Sequence, residues 1–463
     1  MTDKPIRRER RGPASARGRY RRLPAGTHGL DPELVRDDQA RRLRAAMVEL
    51  IAAKGYPAVR VADVAKLAHV SAPTLYRLYA DKEQLLMGAY EDIARRAGLA
   101  IADAHREADP PRVRLLGAMQ AFAHLAGTEP HAVSLLVLGA FGAGPRVRQK
   151  RRLALDALEA YVHANRSPRT PLDGSDLTVQ ALVGGIREVT ASRLRDGRQD
   201  ELPALAPALT SWAASYPREL APGLEAPPET PVPAPGGSGA IAPAHRAARP
   251  LRSGRSELPR ALIERSQRER IVDATAAIVA EKGLPALTIP EIARRASVSN
   301  QTFYEIYESK HAAFLGAQKV GLHQALRVTG DAFDSHGEDW PFAVRAGLEA
   351  LLDYLASEPE HAHLTLVDTF AASPASLAIR DRAMEGFRAR LAPGVELARR
   401  EGHKPDPAVT AEAVAGGIWQ VLHGYIERGA TGALPGVAPQ LTYFALAPFL
   451  GAPQAAAVAL ETV

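Results

Sequence analysis

The chain has 463 residues, a net charge of +6 and a pI near 9.5, and 46% of its residues are hydrophobic. It is too long for one core and ordinary in hydrophobicity for a globular protein, and its positive balance favours a polyanionic partner. It contains no cysteine, which excludes disulfides, thiolate zinc sites and cysteine nucleophiles.

Residues 1–30 carry Arg7, Arg8, Arg10, Arg11, Arg17, Arg19, Arg21 and Arg22 with few apolar residues, the pattern of a basic tail that does not fold alone. This charged start lacks the apolar run of a secretory signal. A first amphipathic helix follows, with Leu43, Ala46, Met47, Leu50 and Ile51 at helical spacing and Gly55 as its stop. A short support helix is predicted from Val61 to Ala68, without a side-chain cap because Arg60 precedes it. Ser71 then caps a third helix, Ala72 to Tyr79. The apolar stretch from Ala132 to Gly144 falls short of the roughly 20 residues that span a bilayer. No membrane association is expected, and the cytoplasm is the expected location.

Residues 215–257 hold Pro227, Pro228, Pro231, Pro233, Pro235, Gly236 and Gly237 and read as a linker. Beyond it the first pattern returns. Ile271, Ala274, Thr275, Ile278 and Val279 form a stripe that Gly283 ends. Thr288 and Glu291 have capping-box spacing at the start of the next helix, on which Ile292, Ala293 and Ala296 face inward. Ser299 caps a last short helix, Asn300 to Tyr307. Two short helices joined by a tight turn make a helix-turn-helix.

Shifting the sequence by 228 residues lays the first pattern over the second, with sixteen identities in 47 ungapped positions. Further matches pair Glu129-Pro130 and Phe141 with Glu358-Pro359 and Phe370, then Gly184-Gly185-Ile186 with Gly416-Gly417-Ile418, then Leu202-Pro203 with Leu434-Pro435. The repeat covers both halves. Strand-like alternation is absent, so an all-α chain is expected. Its order is a tail (1–30), a head (31–90), a helical body (91–214), the linker (215–257), a second head (258–317) and a second body (318–463).

Both heads resemble those of the TetR family. The first supplies Gly55, Val61, Val64, Ala65, Ala68, Val70, Ser71, Thr74, Leu75, Tyr76, Tyr79 and Lys82 to the family pattern. The second supplies Gly283, Thr288, Ile289, Ile292, Ala293, Ala296, Val298, Ser299, Thr302, Phe303, Tyr304, Tyr307 and Lys310. Where the family has glycine in the turn, this chain has His69 and Ser297, so the turn geometry is expected to shift.

The resemblance implies heads that dock in major grooves and bodies that dimerise and bind a small-molecule effector. It implies phosphate contacts from Tyr76, Tyr304, Lys82, Lys310, Thr288 and, in place of that threonine, Arg60. Base edges would be read early in the third helix, by Ala72, Pro73 and Thr74 in one head and Asn300, Gln301 and Thr302 in the other, behind the caps Ser71 and Ser299. Tyr79 and Tyr307 read as core. The glycine pairs 184–185 and 416–417 would let dimerisation helices approach closely.

Residues 39–88 hold eight basic and four acidic side chains, whereas 267–316 hold six of each, with Glu305 and Glu308 beside the second recognition helix. Phosphate binding should be stronger in the first head.

The bodies show no diagnostic chemistry. His361, His363, Asp368, His403 and His423 do not have metal-ligand spacing, so no metal or cofactor is expected. Trp419, Tyr425, Phe370 and Phe387 read as core. No P-loop, dinucleotide glycine motif, HExxH or nucleophile elbow is present. The expected function is a ligand-responsive repressor of double-stranded DNA targets, not an enzyme; the alternatives are a ligand-independent architectural DNA-binding protein and an enzyme using a body pocket. The linker, with an r.m.s. span of roughly 35–40 Å, permits a pseudo-dimer within one chain, with a homodimer as the rival.

Overall fold

The hydrophobic stripes predicted above become helices in the computed structural model of the protein. It describes residues 31–139, 145–166, 177–224, 259–369, 373–400 and 406–461, apart from a few single positions within them, together with residue 143. The arginine-rich tail, the proline-rich stretch, Phe141, Phe370 and His403 lie outside the described residues. Among the described residues there are nineteen α-helices and no strand, an all-α fold.

The chain divides into two compact units, one made of residues up to 96 with 143–151, the other of 97–142 with 152 onward. In the first, helix α1 (Pro32–Lys54) opens on Asp31, whose carboxylate accepts from the Glu33 N–H at 2.8 Å. Leu43, Ala46 and Met47 on α1 are fully buried. Also buried are Val64, Ala65 and Ala68 of α2 (Val61–Ala68), Leu75 of α3 (Ala72–Leu78) and Leu85 and Leu86 at the start of α4 (Lys82–Asp103).

The second unit holds α5 (Pro111–Thr128), α6 (Pro130–Leu138), most of α7 (Pro145–Arg166), α8 (Leu177–Arg195) and α9 (Leu202–Ala213). Residues 215–224, read from sequence as the start of the linker, hold two anchored side chains. Tyr216 and Leu224 are buried, and the Tyr216 hydroxyl donates to the Phe444 carbonyl at 2.9 Å. Then come α10 (Arg260–Lys282), α11 (Ile289–Ala296) and α12 (Asn300–Ile306), which repeat the first head. Helices α13 (Lys310–Asp334), α14 (Trp340–Ser357), α15 (Pro359–Leu366), α16 (Pro374–Arg400), α17 (Thr410–Glu427), α18 (Ala438–Leu450) and α19 (Ala452–Leu460) complete the unit.

Helices α8 and α17, equivalent in the repeat, pack on each other through their glycine pairs. A Cβ on Gly184 would lie 2.3 Å from the Gln420 Cβ, and one on Gly416 2.3 Å from the Glu188 Cβ. A Cβ on Gly185 would meet the Ala413 carbonyl oxygen at 2.5 Å, and one on Gly417 the Ala181 oxygen at 2.6 Å. Glycine inside a helix costs about 1 kcal/mol relative to alanine; here the backbone approach requires it at all four positions.

Charged pairs flank the seam. Both terminal nitrogens of Arg380 donate to Glu188, at 3.0 and 2.6 Å, and Arg193 pairs with Glu412. Arg195 reaches Asp381 at 3.2 Å. Tyr216 stacks on Phe444 with ring centroids 4.8 Å apart, and Trp212 meets Phe444 edge-on.

Candidate nucleic-acid interface

Each head places a short helix after a tight turn, and the turn depends on one backbone conformation. His69 and Ser297 take φ of 53° and 52°, the left-handed region that favours glycine. The two turns share their hydrogen bonds. Val70 N–H donates to the Ala65 oxygen and Val298 N–H to the Ala293 oxygen, both at 3.0 Å. In both turns a side-chain-bearing residue carries the left-handed conformation.

A device not noticed in the sequence supports each turn. One terminal nitrogen of Arg42 donates to the Ala68 and His69 carbonyls at 2.6 and 3.1 Å. Arg270 does the same to Ala296 and Ser297 at 2.5 and 2.9 Å. These arginines are one of the sixteen identities of the repeat, which was the available signal. Because a left-handed non-glycine residue costs roughly 1 kcal/mol or more, His69→Gly and Ser297→Gly should each raise stability by up to about 1 kcal/mol, the flexibility of glycine in the unfolded chain offsetting part of the gain. Thermal unfolding checks this, and a lowered melting temperature would contradict it.

The third helices are capped as the sequence indicated: Ser71 Oγ accepts from the Thr74 N–H at 3.3 Å, and Ser299 Oγ from the Thr302 N–H at 3.0 Å. Both serine hydroxyls also sit 2.9 Å from the threonine Oγ1. The inner face holds the fully buried Leu75 or Phe303. Tyr79 and Tyr307 lie against Gly88 and Gly316, where a Cβ would stand 3.0 and 2.7 Å from the rings.

The outer face carries Ala72, Pro73 and Tyr76 in one head and Asn300, Gln301 and Tyr304 in the other, all exposed. Tyr76 and Tyr304 are 56% and 58% exposed and are the only aromatics among the large exposed hydrophobics of the described residues. Two aromatic rings left in water at repeat-equivalent positions suit a partner surface better than a core. Thr74 and Thr302 are half-buried behind them.

The faces differ in charge. Arg77 of the first recognition helix is replaced by Glu305 in the second, and Glu305 accepts from the Gln301 side-chain amide at 3.2 Å. Sequence reading noted Glu305 but passed over Arg77. Asp81 and Glu83 at the start of α4 are met by Arg146, at 3.5 and 3.3 Å.

Lys82 and Lys310, expected at phosphate, also have partners within their own heads. Lys82 Nζ donates to the Tyr56 and Val59 carbonyls at 3.2 and 3.1 Å and lies over the Tyr56 ring, and burial lowers its pKa. Lys310 Nζ donates to the Leu287 carbonyl at 2.8 Å. Both staple the loop before the second helix to the start of the fourth. The capping box at Thr288 does not form. Thr288 makes no side-chain cap bond, and the Glu291 carboxylate, which would reach back to the Thr288 N–H, is paired with Lys282. The Lys54–Asp63 pair, at 2.5 Å, is the equivalent in the first head. The expected capping difference between Arg60 and Thr288 is thus absent; both are exposed and neither caps.

Among the histidines, His361 Nε2 lies 3.2 Å from Asp273 and His363 Nδ1 2.9 Å from Asp368. No group of three or more metal-capable side chains occurs among the described residues. Trp419 and Tyr425 are buried, and Phe387 is partly so. No helix among the described residues is long and apolar enough to cross a membrane.

The family described as bacterial regulatory proteins, tetR family, matches residues 43–88 and again 271–315. A TetR-like transcriptional regulator from Rhodococcus sp. RHA1 is 22% identical over 39% of this chain and 96% of its own, with a TM-score of 0.32. The fatty acid degradation regulator FadR from Bacillus halodurans is 19% identical over 38% of this chain and 94% of its own, with a TM-score of 0.34. No curated protein is similar enough to count as a match.

Proposed function

Since the chain is a tandem of two TetR-like units and a DNA-binding transcription regulator, we propose that it is a ligand-responsive repressor whose two non-identical heads read the two halves of one operator. The observation that carries this is the contrast between the exposed faces of the recognition helices: Ala72, Pro73 and Arg77 on one, Asn300, Gln301 and Glu305 on the other. Asn300 and Gln301 have the amides that bond adenine in the major groove, whereas Pro73 offers apolar contact alone. Two identical heads require a pseudo-palindrome; two different ones call for different half-sites.

In this reading Tyr76, Tyr304, Thr288 and Arg60 contact backbone phosphate, and Ala72, Pro73, Thr74, Asn300, Gln301 and Thr302 face base edges. Ser71 and Ser299 hold the ends of the recognition helices at the phosphates. Lys82 and Lys310 act chiefly as positioning residues, through the loop they staple. A small-molecule effector bound in a body releases the DNA.

Selection from random duplexes tests the proposal. The expected result is a non-palindromic consensus. Tyr76→Ala and Tyr304→Ala should weaken binding similarly across sequences, while Gln301→Ala should change base preference in one half-site by about 1–3 kcal/mol. A perfectly palindromic consensus would indicate like heads used in pairs across two chains.

A further inference from the structure

The two bodies present the same site twice, open in one and filled in the other. In the first body a cavity of about 520 Å³ lies among α5, α7 and α8, lined by Phe122, Leu158, Tyr161, Ile186 and Arg187. The repeat places Leu351, Phe387, Arg390, Ile418 and Trp419 at the corresponding positions of α14, α16 and α17. All five line a second cavity, of only about 70 Å³. Phenylalanine for Leu158 and tryptophan for Arg187 add bulk, and Phe333 also lines the smaller space. Small-molecule sites run to roughly 300–1,000 Å³, so the first cavity has the volume and the second does not.

The open cavity also has a charge signature. Besides apolar side chains and the tyrosines Tyr161 and Tyr216, it is lined by Arg112, Arg114 and Arg187, and no carboxylate is among its lining residues. The Arg187 guanidinium is held in place, donating to Gln420 Oε1 at 2.6 Å and to the Val137 carbonyl at 2.7 Å. A guanidinium fixed beside an apolar cavity matches a carboxylate on an apolar body.

We infer that the chain has a single effector site, the cavity of the first body, that it takes an amphipathic carboxylate, and that the second body is a closed counterpart which binds none. This rests on the ligand-responsive reading above and specifies where and what the ligand is. It differs from a symmetric dimer, in which each body would carry a site.

Pyrenebutyrate and dodecanoate, each against its neutral alcohol, are the probes for titration into the full chain. The expected result is one acid per chain, bound at least about tenfold more tightly than the alcohol, since a lost charge-assisted bond weakens binding by that order. Arg187→Leu, which removes the guanidinium fixed beside the cavity, should erase the preference for the acid. Ala118→Phe, which fills the cavity, should remove binding; if circular dichroism shows that this variant does not fold, the Arg187→Leu comparison decides. Two acids per chain, equal affinity for acid and alcohol, or binding that survives a folded Ala118→Phe would overturn the inference, as would no binding of either acid. An acid that binds once, prefers the charged form and yet leaves the operator complex intact would uphold the site and overturn the ligand-responsive reading instead.

Discussion

Gly185→Leu should cost about 3 kcal/mol or more, the upper end of what overpacking does to a folded core. The side chain would begin 2.5 Å from the Ala413 carbonyl oxygen and 2.4 Å from the Trp212 ring. A backbone carbonyl does not rotate out of the way as a flexible side chain does. The helices would have to separate, taking the Tyr216, Trp212 and Phe444 cluster with them. Gly127→Ala is the control, because nothing lies within 4 Å of the added methyl; it should be neutral or stabilise by up to about 1 kcal/mol. Thermal unfolding reads both. Light scattering of the unaltered chain should give a mass near 49.5 kDa, since tethered bodies pair within one chain before they pair between chains. A Gly185→Leu protein as stable as its parent would show that the two helices do not meet in solution.

Removing Glu188 should be almost as damaging, for a different reason. Glu188→Ala takes from the guanidinium of Arg380, itself fully buried, the carboxylate that accepts from both of its terminal nitrogens. Stripping one partner from a buried ion pair typically costs about 3–5 kcal/mol, because the remaining charge stays out of water. The same pair sets a pH dependence. Burial alone would raise the Glu188 pKa, but the Arg380 and Arg195 guanidiniums outweigh it and hold the carboxyl at about 2, below its ordinary value of 4.5. A carboxylate whose pKa is depressed by folding stabilises the fold above its unfolded value and loses that contribution as pH falls towards the folded one. Stability should therefore drop as pH falls from 4.5 towards about 2, and the slope should be shallower in Glu188→Gln. Denaturant unfolding at neutral pH and near pH 3 measures the difference. Equal slopes would mean that the carboxyl is not paired.

Both heads were legible because their signals are local. Glycine stops, serine caps and stripes of Leu43 or Ile271 type act within one or two helical turns, and sequence spacing reports them directly. The staples of Lys82 and Lys310 were not legible, since their partners are carbonyls more than twenty residues upstream, brought near only by the fold. Thr288 and Glu291 had the right spacing and still formed no box, and Lys282, nine residues before Glu291, holds the carboxylate. The difference between the bodies was hidden for another reason. It depends on the summed volume of side chains from three helices, and it emerges only when Leu158 is set beside Phe387 and Arg187 beside Trp419.

Consider what the seam between α8 and α17 means for the way such a regulator changes over generations. In a symmetric dimer every interface position occurs twice, so a substitution must suit itself across the two-fold axis. Here the positions equivalent to Glu188 and Arg193 are Gln420 and Tyr425, and the partner of Arg193, Glu412, corresponds to Gln180. Each half can drift alone. Such a seam also discriminates, since two first bodies brought together would set Arg193 against Gln180 and not against Glu412. That mismatch disfavours the exchange of halves between copies of this chain.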